Sequence, residues 1–278
     1  DHRDLHLSIR RQRQMCIRDR FIYWIKNINK KTITEVEAQN KLEKFRRFNK
    51  DYLFPSFNTI AGSGSNGAIV HYRATTKSTK KINKKDILLV DSGGQYRYGT
   101  TDVTRTICFS SQKQSIKNAY TNVLKGHIAV ALTNLNKDNT GKKIDIRARK
   151  FLKKEGLDYA HGTGHGVGFF LHVHEGPQSI SKHNKIKIEK GMILSNEPGY
   201  YKKNHFGIRI ENLVYAKKFK NKLFFENLTL APIEKDLTNY KLLNQTEKDY
   251  LFKYHFNIYS EYSTSLDKKE RKWLASLI

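Results

Sequence analysis

The run Ile87-Leu88-Leu89-Val90-Asp91-Ser92-Gly93-Gly94, answered by Gly99-Thr100-Thr101-Asp102-Val103-Thr104-Arg105-Thr106, decides the fold. An apolar run enters an acid and a glycine turn, and a β-rich run leaves a second acid, so residues 86–109 read as a hairpin. Asp91 and Asp102 then sit near opposing strands. The arrangement returns later: Met192 to Ser195 reads as a strand stopping at Pro198-Gly199. Gly207 to Val214 reads as a strand on which Arg209, Glu211 and Leu213 share a face. Strand, carboxylate, turn, carboxylate, strand thus occurs at Asp91/Asp102 and again at Glu197/Glu211, which predicts a duplicated α+β half-domain.

Helical patterns surround these hairpins. Thr34-Glu35-Val36-Glu37 has the form of a capping box, and Ala38, Leu42 and Phe45 follow at helical spacing, which predicts a helix over about 34–48. Ile116, Tyr120, Val123, Leu124, Ile128 and Ala131 mark a second helix. Ile144, Ala148, Phe151 and Leu152 mark a third that Gly156 can end, and both are expected to cover a sheet. From about Asn239 to Ile278 the chain is aromatic and charged without strand punctuation, which predicts a helical C-terminal extension with Trp273 as a packing contact. Residues 1–20 differ from the rest in composition: Arg3, Arg10, Arg11, Arg13, Arg18 and Arg20 stand there without a lysine, whereas lysine dominates from Phe21 onward. That segment is expected to be foreign or disordered.

With 278 residues and 38% hydrophobic content the chain can bury a core. No apolar run reaches the ~18 residues of a spanning helix, so no membrane partner is expected. Cys16 and Cys108 form no Cys-x-x-Cys pair, which argues against a disulfide framework or a thiolate zinc site and fits a reducing, cytoplasmic setting. A net charge of +26 is the footprint of a nucleic-acid binder. Yet the lysines are scattered through nearly every segment and no aromatic-basic module occurs, so the charge reads as a solvated surface and nucleic acid is not an expected partner.

If Asp91, Asp102, Glu197 and Glu211 converge, their repulsion calls for bound cations, and two divalent ions would balance four carboxylates. His161-Gly162-Thr163-Gly164-His165-Gly166-Val167-Gly168 carries a glycine at every second position, which excludes a helical zinc motif and permits close backbone approach to a ligand. His172-Val173-His174, if extended, places two imidazoles on one face. Hard oxygen ligands with one imidazole favour Mn²⁺, with Zn²⁺, Co²⁺ and Fe²⁺ as alternatives. No P-loop, Rossmann fingerprint or Gly-x-Ser-x-Gly elbow is present; Gly62-Ser63-Gly64-Ser65-Asn66-Gly67 has the wrong form.

These residues resemble the pita-bread metallopeptidases, and within them the Xaa-Pro aminopeptidases. The blocks that carry the likeness are Asn66 to Tyr72, Leu89 to Tyr96, Gly99 to Thr106, His161 to Gly168 with Val173-His174-Glu175-Gly176-Pro177, Ser195 to Gly199, and Gly207 to Asn212. The resemblance implies an α+β pita-bread (creatinase/aminopeptidase) fold with an internal pseudo-twofold repeat, over residues 21–235, and a helical extension over 236–278. It implies that Asp91, Asp102, His165, Glu197 and Glu211 hold two divalent metal ions, Asp102 and Glu211 touching both. His71, His161 and His174 are then the catalytic histidines. The implied reaction is hydrolysis of an N-terminal Xaa-Pro bond by a metal-bridging hydroxide, on a peptide with proline second, with Arg209 beside the ligands. A homodimer is expected; full-length members of the family carry one or two further N-terminal domains, which the residues before Phe21 are not expected to supply. The alternatives are a prolidase-like dipeptidase and a catalytically silent binding module of the same fold.

Overall fold

The computed structural model describes residues 19–28, 32–170 and 172–278. Residues 1–18, where most of the arginine-rich segment falls, lie outside the described residues. Residues 19–27 are helical, and Arg20 Nη2 donates to the Ser265 carbonyl at 3.0 Å.

The duplicated sequence pattern becomes a duplicated strand plan. Strand β3 (Ile87–Ser92) pairs antiparallel with β6 (Val103–Cys108), Asp91 lying opposite Thr104. Between them sits an inner hairpin of β4 (Gly94–Tyr96) and β5 (Gly99–Thr100), edged by β1 (Tyr52–Pro55), while β2 (Ile60–Ser63) completes the outer sheet. In the second half β9 (Ile193–Asn196) pairs antiparallel with β12 (Asn212–Phe219), and the inner hairpin is β10 (Gly199–Lys202) with β11 (Phe206–Arg209). That outer pair belongs to a five-stranded sheet with β7 (Gly164–Val167), β8 (His174–Ile180) and β13 (Lys222–Asn227), in the order β13-β12-β9-β7-β8. In both halves the acids stand where the chain passes between outer pair and inner hairpin.

Two local readings are corrected. Gly207 to Val214 is not one strand, because β11 ends at Arg209 and β12 begins at Asn212. The junction residues give their backbone groups to other partners: Glu211 N–H donates to the Thr104 carbonyl at 3.1 Å, and the Glu211 carbonyl accepts from Arg105 Nη1 at 2.6 Å. His172 and His174 do not share a strand face either. Strand β7 ends at Val167, whose partner is His174, so β8 has no strand to pair with before that residue.

The helices form where their signals lie. Thr34 and Glu37 close the expected capping box on α1 (Glu35–Arg47). Ala38 and Leu42 of α1 pack with Phe21, Ile22 and Ile25 against Leu88, Val90 and Ile107 of the first sheet. Helices α2 (Gln114–Ala131) and α3 (Gly141–Lys154) cover the second sheet, with Val130, Ile144 and Ala148 meeting Leu194 and Val214. The C-terminal part is helical as expected, in α4 (Gln245–Tyr262) and α5 (Lys268–Ala275). Leu251, Tyr254 and Ile258 of α4 share one core with Tyr120, Val123 and Leu124 of α2. Trp273 packs its ring 5.8 Å from that of Tyr23.

One buried side chain ties these parts. Arg105, on β6, is 1% exposed. Its guanidinium donates to the carbonyls of Thr104 (2.8 Å), Glu211 (2.6 Å), Ala231 (2.7 Å) and Pro232 (2.8 Å). It also donates to Asn212 Oδ1 (2.7 Å) and Tyr254 Oη (3.0 Å).

His255, on α4, is buried, and its Nε2 accepts the Ile233 N–H at 3.2 Å. Burial first, and the nearby Arg105 charge second, hold its pKa down at about 4. The unfolded chain titrates near ~6.5, so the stability contributed by neutral His255 is full above that pH and is lost as pH falls toward the folded value. Replacing His255 by Phe should lower stability at pH 7 by about 1–3 kcal/mol, since Ile233 loses its acceptor. The gap between wild type and variant should narrow by up to ~2 kcal/mol at pH 5, read from denaturant midpoints; a constant gap would contradict the neutral assignment.

Candidate functional site

The strand junctions open on a cavity of about 370 Å³. All eight sequence-predicted residues line it: Asp91, Asp102, His165, Glu197 and Glu211 together with His71, His161 and His174. His165 Nε2 lies 3.4 Å from Asp102 Oδ2 and 3.4 Å from Glu197 Oε1. Asp102, His165 and Glu211 each present a ligand atom within 4.8 Å of the others. The His174 ring is 4.0 Å, centroid to centroid, from that of His165. A larger cavity, about 550 Å³ between β13 and α4, contains none of these residues.

The glycine loop reaches this place because its glycines allow it. A Cβ at Gly164 would collide with the Ser195 carbonyl, so only glycine lets β7 lie this close to β9. That contact brings His165 beside Glu197: His165 N–H donates to Ser195 Oγ at 2.9 Å, and Ser195 Oγ donates to Glu197 Oε1 at 3.0 Å. From behind, helix α3 holds the loop. Buried Arg149 donates to Asp145 Oδ2 and to the carbonyls of Tyr159 and His161, each at 2.7 Å, and Thr163 Oγ1 donates to Asp145 Oδ1 at 2.7 Å. The segment with His71 is anchored through the next residue, Tyr72, whose hydroxyl donates to Glu35 Oε2 at 2.8 Å.

The electrostatics are those of a carboxylate cluster short of positive charge. Burial, then Asp102 and Asp91, push Glu197 up to about 7 against the opposing pull of His165 and Arg209. Burial, then Asp102, Glu197 and Asp91, push Glu211 well above the carboxylate range. Burial alone would lower His165, but Asp102 and Glu197 raise it to about 9. Arg209 is the buried cation of the wall, donating to Asp91 Oδ2 at 2.6 Å and to Tyr201 Oη at 2.6 Å.

The imidazoles are oriented by their partners. His165 Nδ1 lies 2.9 Å from the Gly166 carbonyl, which can only accept, so Nδ1 carries the hydrogen and Nε2 faces the carboxylates. An anchored imidazole aimed at acids suits a metal ligand. His161 repeats the arrangement: Nδ1 donates to the Gly162 carbonyl at 2.7 Å, and Nε2 accepts from Tyr201 Oη at 2.8 Å. Burial first, then Arg209, lower its pKa to about 4, which keeps it neutral at pH 7. His174 is also lowered, by burial and then by His165.

Sequence reasoning named Arg209 beside the ligands but missed Tyr201, Asp145 and Arg149. Tyr201 carried one usable signal: it follows Gly199 by two on β10, opposite Gly207, which puts it on the side of Gly199 and its partner Arg209. Asp145 and Arg149 gave none beyond an i,i+4 charge pair on a helix.

Comparison with known proteins gives the family of the chain. Residues 12–218 match metallopeptidase family M24, and residues 221–277 match the C-terminal region of that family. A probable Xaa-Pro aminopeptidase P of Paracoccidioides brasiliensis (strain Pb18) is 42% identical over 271 residues, covering 92% of this chain and 44% of its own length. Aminopeptidase P2 of Arabidopsis thaliana is 43% identical over 260 residues, covering 90% and 36%. Among solved structures, the X-prolyl aminopeptidase of Caenorhabditis elegans, described as a cytosolic enzyme with a di-nuclear active site, superposes with TM-score 0.93 at 34% identity, over 100% of this chain and 47% of that one. The prolidase of Pyrococcus furiosus superposes with TM-score 0.68 at 28% identity, over 80% of this chain and 63% of that one. The chain spans less than half the length of these three aminopeptidase relatives.

Replacing Arg149 by Leu would leave Asp145 as a buried acid without its cation and two carbonyls without donors. The expected cost is about 3–5 kcal/mol in denaturant unfolding, with faster amide exchange concentrated in residues 159–165. Unchanged exchange in that loop would show that it is held by other contacts.

Proposed function

The chain belongs to metallopeptidase family M24 and has its pita-bread fold, and from that premise we propose that it hydrolyses the N-terminal Xaa-Pro bond of peptides as a two-metal aminopeptidase. The observation that carries this reading is the convergence of four carboxylates and His165 on one cavity. Asp91, Asp102, His165, Glu197 and Glu211 would hold two divalent ions, with Asp102 and Glu211 shared between them. The residues fit such ions on three counts. Four clustered acids face one buried guanidinium; Nε2 of an anchored His165 points at them; and the donors are hard oxygens with one imidazole. That donor set favours Mn²⁺, with Zn²⁺ or Co²⁺ as alternatives.

When bound, the ions supply a water acidic enough to ionise near neutral pH and a positive centre for the scissile carbonyl. The chain's own groups do the rest. Arg209 fixes the Asp91 carboxylate and, through Tyr201, sets the tautomer of His161. His174, neutral at pH 7, can donate to the oxygen that gains charge when the carbonyl is attacked, while His161, neutral with both ring nitrogens engaged by Gly162 and Tyr201, positions the substrate against the wall. His71, on the exposed part of the wall, can pass a proton to the departing proline nitrogen. A glutamate of the cluster takes the proton of the attacking water.

The restriction to proline follows the relatives, two of them aminopeptidases P at 42–43% identity. The prolidase likeness covers less of this chain, but it supports a second reading in which Xaa-Pro dipeptides are the substrate. A cytoplasmic setting follows the nematode enzyme, and a homodimer follows the family resemblance.

Mass spectrometry of an Xaa-Pro-Xaa tripeptide incubated with the protein, with and without Mn²⁺, tests the activity. Release of the first residue alone, only with metal, is the expected result; faster cleavage of an Xaa-Pro dipeptide would select the prolidase reading. No cleavage despite two bound ions would remove both. Replacing Asp102 by Ala should take bound metal from two ions per chain to none by elemental analysis; a folded variant still holding two would refute its bridging role.

A further inference from the structure

Two arginines line the cavity, and they differ in what they hold. Arg209 is buried and committed to Asp91, Thr104 and Tyr201. Arg73 is exposed, and among the described residues its guanidinium forms no hydrogen bond or ion pair. The acids of the wall are Asp91, Asp102, Glu197 and Glu211, all in the cluster, and none lies within 4.0 Å of Arg73 as a partner. The cavity therefore has an acidic pole and, at Arg73, a cation that no described residue neutralises.

The backbone under Arg73 is held while its head is not. Tyr72 is 7% exposed, with its hydroxyl bonded to Glu35 and to the Ser78 carbonyl. Ser78 Oγ donates to the Arg73 carbonyl at 3.3 Å, and Thr79 N–H closes the following turn on the Thr75 carbonyl at 2.8 Å. A ligand contacting Arg73 thus has only the side chain left to order, which lowers the entropic cost of binding. A guanidinium presents a planar fork of donors matched to the two oxygens of a carboxylate.

We propose that Arg73 forms a carboxylate subsite of this cavity, two residues along the chain from His71. The proposal rests on the peptidase reading for the nature of the ligand, a short peptide. Its carboxylate is either the free C-terminus of a tripeptide or an acidic side chain after the proline. Arg73 is a specificity residue in this role and takes no part in bond cleavage.

The test is calorimetric binding to the metal-free protein, where no turnover intervenes, of Ala-Pro-Ala with a free C-terminus, Ala-Pro-Ala amide and Ala-Pro-Asp amide. Wild type, Arg73→Ala and Arg73→Lys are compared; the exposed position makes folding of the variants straightforward to verify by melting. Wild type should bind at least one carboxylate-bearing peptide about five- to tenfold more tightly than Ala-Pro-Ala amide at low salt. Added salt should shrink that ratio. In Arg73→Ala it should fall to about one with amide affinity unchanged, and Arg73→Lys, lacking the fork, should be intermediate. Preference for the tripeptide acid alone assigns the subsite to a C-terminus, and preference for Ala-Pro-Asp amide alone assigns it to a side chain. Equal wild-type affinities, no binding, or a preference that survives in Arg73→Ala overturns the subsite. With Mn²⁺ added, absence of cleavage alongside an intact binding preference would defeat the peptidase reading and leave the subsite standing. Cleavage with equal kcat/KM for acid and amide in wild type would do the reverse.

Discussion

Carboxylates repel one another most where water cannot screen them, and taking a single ion out of water costs several kcal/mol even after the protein relaxes. This chain places Asp102 and Glu211 almost wholly out of solvent, beside Glu197 and Asp91. Much of the structure can be understood as what makes that tolerable. Arg209 is buried against Asp91, Ser195 and Thr104 give hydroxyl donors to Glu197 and Glu211, and the Glu211 backbone is secured at both its N–H and its carbonyl. The remaining deficit of positive charge is what makes a divalent cation chemically suitable here.

Closeness is achieved by duplication. Each half contributes an outer strand pair closed by an inner hairpin, and each supplies two acids at its junctions. The histidines come from elsewhere, His71 from the segment after β2 and His161, His165 and His174 from the loop and strands flanking β7. The contacts joining these pieces are tight backbone approaches, β7 against β9 at Gly164 and β11 against Gly67 at Gly207. At both places a methyl group would meet a carbonyl oxygen.

Much of this was legible in the residues. Apolar runs ending in an acid and a glycine turn mark strand ends whatever the tertiary context, so the duplicated plan and the Asp and Glu positions could be read before the fold was known. The alternate glycines around His165 announced a close approach, though not to which strand. Other features could not be read, because they depend on register and distance. At the break, Ile210 N–H turns to the Pro198 carbonyl and Glu211 bonds Thr104 and Arg105, the last two over 100 residues away in sequence. His172 looked equivalent to His174 by alternation, but strand pairing begins only at the latter. Arg149, Asp145 and Tyr201 look like ordinary charged and aromatic residues until the fold turns them toward the loop.

The six hydrogen bonds of Arg105 bear on how the chain is divided. The family match is made in two parts, meeting between residues 218 and 221. Arg105 belongs to the first part, yet it is satisfied by Ala231, Pro232 and Tyr254 in the second, and none of its partners is a carboxylate. Separating the parts would take from this buried guanidinium three of its six partners and loosen the side chain that holds the carbonyl of Glu211. The two segments are matched separately but physically tied: one guanidinium links the backbone of the acidic cluster to a helix that does not line the cavity.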